Sequence, residues 1–224
     1  MDGNRLAKKR ANDIRKILDL GQRPIADIFA LLEEIGIILF KKPINNSSLS
    51  AVFMQDSKNY LVIINSNRTL GHQIFSAAHE LSHYYFDKGM LAGICSVNNP
   101  NVKNSNEELA DEFASHFLLP DEAIIDIVEK RKNKNGKPDI LDIVFLQQYF
   151  RVSWKAMLKK LYYLNYINSV EEYGNIGITR LTQILGYNDE LVKKTNDYYV
   201  SKKYIELAVK CYKNDEISET RLKE

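Results

Sequence analysis

His79-Glu80-Leu81-Ser82-His83 sets two imidazoles four residues apart, with a carboxylate next to the first. On a helix, residues i and i+4 stand one turn apart on the same face, so both rings can reach one ion. Zinc accepts nitrogen donors of this kind in a tetrahedral site. Glu80 would lie about 100° further round the helix, beside the ion rather than on it, where it can take a proton from an activated water. The chemistry on offer is metal-assisted hydrolysis. Two ligands do not complete such a site, and a third has to come from elsewhere in the chain.

Residues 104–120, NSNEELADEFASHFLLP, read as the helix that supplies it. With Glu107 at zero and ~100° per residue, Leu109, Ala110, Phe113, Ala114, Phe117 and Leu118 fill an apolar arc from about 200° round to 20°. Glu108, Glu112 and His116 fall at about 100°, 140° and 180° and face away. Glu107 and Asp111, at about 0° and 40°, sit one above the other on the edge of the buried arc. A carboxylate held against a core without a partner is costly, so both should have one. Glu107 is the expected third ligand. Asp111 is the expected acceptor for a ring N–H of a metal-bound histidine. One Zn²⁺ per chain is implied, with its fourth position left for water.

The elements that must position these side chains predict an α+β fold, mainly helical. A first amphipathic helix carries Leu6, Ile14, Ile17 and Leu18 and stops at Gly21. A second is opened by Pro24 and ended by Gly36. The short runs IGIILF (35–40), AVFMQ (51–55) and YLVIIN (60–65) predict a small, largely antiparallel three-stranded sheet near the HELSH helix. That helix should span about residues 70–87, followed by a Gly- and Asn-rich loop over 89–106. A helical pair is expected at about 139–149 and 154–164, then a polar, helical tail. Three units follow: 1–135 around the metal, 136–168 the helical pair, and 169–224 a C-terminal appendage.

The 224 residues carry a net charge of +2, which argues against strong non-specific nucleic-acid binding. Cys95 and Cys211 are far apart and resemble reduced thiols rather than a disulfide framework or a C-x-x-C metal site. There is no apolar leader and no membrane-length apolar run, so no membrane partner is expected and the expected compartment is the cytoplasm.

HELSH, then Glu107-Glu108-Leu109-Ala110-Asp111 and FASHFLLP, resembles the ImmA/IrrE family of metallopeptidases. The run Phe75-Ser76-Ala77-Ala78-His79-Glu80 and the later FRVSWKAMLKKL are similar to that family's context, over about residues 6–165. The glutamate spacing is also similar to that of gluzincins. One departure is that positions before the motif often basic in the family hold His72 and Ile74 here. The resemblance implies a zinc metalloendopeptidase of narrow range. Its implied partner is a helix-turn-helix repressor, whose cleavage or displacement derepresses a mobile element or stress regulon. Within that mechanism Glu80 is general base and then proton donor to the leaving amine. The oxyanion needs a donor besides the metal, and His72, Tyr84, Tyr85 and Tyr149 are candidates among which the sequence does not choose.

A reading from another class is a non-proteolytic regulator that sequesters a repressor or binds DNA. It rests on ILDIVFLQQYF–RVS–WKAMLKKLYYL, which has helix-turn-helix form with Ser153 as N-cap. The blander expectation there is that Trp154, Met157, Leu158 and Leu161 pack inward while Lys155, Lys159 and Lys160 form a solvated face. Direct nucleic-acid binding is therefore not expected.

Overall fold

The computed structural model describes residues 3–88, 91–96 and 105–223. The chain opens with α1 (Gly3–Ile17) and α2 (Ile28–Glu34), then β1 (Ile38–Lys42), β2 (Leu49–Gln55) and β3 (Tyr60–Asn65). α3 (Leu70–Phe86) carries HELSH, and β4 (Ala92–Ser96), α4 (Ser105–Leu118), α5 (Asp121–Arg131), α6 (Ile140–Tyr149) and α7 (Trp154–Tyr163) follow. Beyond them lie α8 (Glu171–Gly174), α9 (Ile178–Ile184), a 3₁₀ turn at Glu190–Val192, β5 (Tyr199–Val200), α10 (Lys202–Lys213) and α11 (Glu219–Lys223). α2 begins later than Pro24 because the Asp27 side chain caps it, accepting from the Phe29 and Ala30 N–H groups at 2.9 and 3.1 Å.

The α+β class stands, but the three-stranded sheet is corrected. Five strands lie in the order β4-β2-β3-β1-β5. β1 runs parallel to β3, pairing Ile38 with Leu61 and Lys42 with Asn65, while β2 is antiparallel to β3 on its other side. Asn65 explains the crossover. Its side chain accepts from the Ile44 N–H at 2.9 Å and donates to the Leu49 carbonyl at 2.9 Å, tying both ends of the β1–β2 connection to β3. Alternating apolar residues report which face of a strand is buried, not which strand lies beside it.

The two additional strands cover the sheet's edges. β4 arises inside the segment expected to be a loop, pairing antiparallel with β2; residues 89–90 and 97–104 of that segment lie outside the described residues. β5 comes from the polar tail and pairs with β1 at Phe40–Val200 and Lys41–Tyr199. The tail is fastened further where Lys41 meets Asp197 at 2.7 Å and Gln73 donates to Thr195 at 2.9 Å.

Val62, Ile64, Ala51, Phe53 and Leu39 turn one side of the sheet into core, and α3 packs on it. α4 packs on α3, and α1 along α4, where Ala7, Ala11 and Ala114 are wholly buried. The Arg15 guanidinium locks that pair by donating to the Phe117 carbonyl at 2.5 Å and, through Nε, to the Gly21 carbonyl at 2.8 Å. At the other end of α3, Gly71 lets the helix approach the α6–α7 turn: a Cβ there would stand 2.8 Å from the Ser153 nitrogen.

Candidate metal centre

α3 and α4 bring their polar edges together over the end of the sheet. His79 Nδ1 donates to Asp111 at 2.8 Å, and His83 Nδ1 donates to Asp87 at 2.6 Å. A proton held on each Nδ1 leaves a bare lone pair on each Nε2. Those two Nε2 atoms lie 3.0 Å apart. Glu107 adds its carboxylate, 3.2 Å from His79 Nε2 and 3.5 Å from His83 Nε2. Three side chains thus aim acceptors at one point, an arrangement that is unfavourable unless a cation sits among them.

The acidities point the same way. Burial works against an imidazolium at His79, yet Asp111, Cys95 and Glu107 outweigh it and hold the ring's pKa well above the ordinary histidine value. Burial raises the Glu107 carboxyl, but the neighbouring histidines overcome this and hold it below the usual range. The pocket favours positive charge, as a proton or as a metal ion.

A fourth donor belongs to the group. The ligating atoms of His79, His83, Cys95 and Glu107 all lie within 4.8 Å of one another. Two imidazoles, a carboxylate and a thiol are a donor set that fits zinc.

Glu80 is wholly buried next to these groups, and among the described residues neither of its oxygens has a hydrogen-bond partner of ordinary geometry. Burial pushes its carboxyl up from the ordinary value, partly offset by His79 and by the Cys95 thiol. A buried, unpartnered carboxylate of raised pKa can both accept and return a proton. Around the histidines, Phe53 stacks on His83 with ring centroids 5.3 Å apart and on Tyr60 at 5.4 Å. Together with burial, the charges of Glu80, Cys95 and Asp87 push the Tyr60 hydroxyl far up, and that hydroxyl has no hydrogen-bond partner among the described residues.

The structure therefore brings His79, Glu80, His83, Glu107 and Asp111 together. It places the other expected residues differently. His72 lies up the same helix with Nε2 3.0 Å from Ser50 Oγ, and burial, aided by Arg68, lowers its pKa to about 4, so the ring is neutral. Tyr84 turns away: its hydroxyl points to the Ile35 carbonyl at 3.5 Å and its ring meets Tyr60 and Tyr85 edge-on. Tyr149 is half-exposed at the end of α6, against Phe145 and Phe150. A cleft of about 430 Å³ beside the start of α3, lined by Phe29, Lys41, Leu70 and Arg151 among others, contains none of the metal-centre residues.

Three neighbours escaped the sequence reading. Asp87 carried a signal, being four residues beyond His83 at the helix end. Cys95 and Tyr60 carried none, because only the pairing of β4, β2 and β3 delivers them to α3.

Two further expectations need correction. His116, placed on the outward face by helical phase, is buried, and so is Lys160, assigned to a solvated face. They meet Asp121 in one cluster: His116 Nδ1 lies 3.2 Å from Asp121 and 3.0 Å from Lys160 Nζ, Lys160 pairs directly with Asp121, and Lys8 joins at 2.7 Å. Lys160 and Tyr163 of α7 reach His116 of α4 and Asp121 of α5, so a face that looks exposed on an isolated helix becomes interior. Only Lys155 and Lys159 of that triplet stay exposed, while Ser153 caps α7 as expected, accepting from the Ala156 N–H at 3.2 Å.

The family model for Peptidase_M78, the IrrE N-terminal-like domain, matches residues 32–162, more than half of the chain. The chain belongs to this family. As an IrrE-type metallopeptidase it has a protein as its substrate class. The matched IrrE-like region runs from α2 through the HELSH helix and α4 to α7, so it contains every residue of the candidate metal centre. No curated protein gives a significant match to the chain. Among the described residues of this IrrE-type chain, no helix is long and apolar enough to cross a membrane.

Proposed function

We propose that the chain is a zinc endopeptidase that cleaves a helix-turn-helix transcriptional repressor and so relieves repression of a mobile element or stress regulon. The observation that carries the catalytic half is the convergence of His79, His83 and Glu107 on one point beside the buried Glu80. When bound there, zinc supplies Lewis-acid chemistry, lowering the pKa of water and polarising the scissile carbonyl.

The chain's own residues do the rest. Asp111 and Asp87 hold the two imidazoles in the tautomer that presents Nε2. Glu80 takes a proton from the attacking water and returns it to the amide nitrogen as the C–N bond breaks. The sheet and α4 exclude bulk water from that carboxylate, strengthening its interaction with developing charge. His72, neutral and one helical face along from His79, is retained as the candidate contact to substrate; Tyr84 and Tyr149 are less suitable, one aimed elsewhere and the other remote in its contacts.

Glu80→Gln tests the reading. The variant should keep its metal and lose roughly 10²–10⁴-fold in cleavage of a co-expressed helix-turn-helix repressor. If Glu80→Gln relieves repression as well as the parent chain, the protein acts by displacement and the proteolytic reading fails.

A further inference from the structure

Cys95 sits on β4, where strand alternation turns it inward: it is 4% exposed, and its neighbour Ile94 is 69% exposed. Two features aim it. Gly93 faces Phe53 so closely that a Cβ would stand 2.3 Å from the ring, which lets β4 lie directly over the residue that stacks on His83. Opposite Cys95, the β2–β4 register breaks between Leu49 and Ala51, the kind of irregularity that re-aims a side chain beside a site. The result is a sulfur within 4.8 Å of the ligating atoms of His79, His83 and Glu107.

We propose that Cys95 is a fourth, thiolate ligand of the metal, and that the resting site is thereby closed to water. This rests on the metallopeptidase reading and adds its regulation. Zinc sites with four protein ligands are closed and structural, whereas catalytic ones keep three protein ligands and an open position. The Cys95 thiol also interacts with Glu80, the expected general base, so one sulfur borders both the ligand cluster and the proton-transfer group. A sulfur bound to the ion would take the position that the attacking water needs. Hydrolysis then requires the sulfur to leave. β4 suits that movement, because it is an edge strand whose one sheet neighbour among the described residues is β2.

Cobalt substitution reads the sulfur directly. The full chain loaded with Co²⁺ should bind one ion and show a near-ultraviolet thiolate-to-cobalt charge-transfer band. The band should persist in Cys211→Ser and vanish in Cys95→Ala and in the closer-sized Cys95→Ser. In chelator competition, the two Cys95 variants should hold zinc at least roughly tenfold more weakly. One bound cobalt without the band in the parent chain overturns the ligand assignment while leaving the three-ligand centre intact, and that result needs no variant to fold. A band that survives Cys95→Ser overturns it too. Failure to bind cobalt at all overturns both the inference and the metallopeptidase reading beneath it.

Discussion

Asp87 closes the HELSH helix by gripping His83 twice: its backbone N–H donates to the His83 carbonyl at 3.0 Å, and its carboxylate accepts from the ring Nδ1 at 2.6 Å. The end of α3 and the orientation of the His83 imidazole are thus set by one residue. Asp87→Ala should leave the helix largely intact yet weaken zinc binding by roughly 10–100-fold, the usual cost of removing a histidine's backing carboxylate. Chelator competition against Asp126→Ala, an exposed change on α5, is the measurement. Equal affinities would show that Asp87 serves only as a cap.

The adjacent glutamates on α4 offer a sharper comparison. Glu107 is half-buried against both histidines, while Glu108 is exposed. Purified Glu107→Ala should lose most of its bound zinc by elemental analysis, and Glu108→Ala should retain the parent's content. Identical zinc in the two would remove Glu107 from the ligand set.

Gly93 should not tolerate a side chain. Phe53, wholly buried between Tyr60 and His83, has no room to swing from an added Cβ. Gly93→Ala should cost about 1–3 kcal/mol in urea unfolding, as overpacking does. A variant as stable as the parent would mean that β4 lies further from β2 than described.

The Asp121 cluster gives stability a pH dependence. Burial raises the Asp121 carboxyl, but His116, Lys160 and Lys8 overcome this and hold it far below the usual range. Burial lowers the pKa of Lys160 in spite of Asp121, so the benefit of the pair appears on the carboxylate side. A depressed carboxylate contributes stability above its unfolded pKa, near 3.8, and loses it as pH falls toward the lower folded value. Asp121→Asn should cost about 3–5 kcal/mol at neutral pH, by stranding a buried ammonium, and should flatten the loss of stability below about pH 4. Acid unfolding followed by circular dichroism compares the two; an unchanged acid limb would place the pH dependence elsewhere.

Much of the metal centre was legible in the chain because it is local. The i, i+4 spacing of His79 and His83, and the helical phase of Glu107 and Asp111, survive any arrangement of the surrounding elements. Helix limits near Gly21, Pro120 and Ser153 are similarly short-range. What escaped was non-local. Lys160 and His116 have the phase of surface residues and are buried where side chains of α4, α5 and α7 meet around Asp121.

Sequence by itself determined that His79 and His83 share one helical face with Glu80 beside them, and that Glu107 and Asp111 edge a buried face, since these follow from helical periodicity alone. Tertiary structure decided the sheet order, with β1 parallel to β3 and the edges taken by β4 and β5, because strand pairing joins residues far apart and alternation names a face but no neighbour. That same pairing decided that Cys95, an unremarkable thiol in the chain, lies within 4.8 Å of the potential ligand atoms of His79, His83 and Glu107.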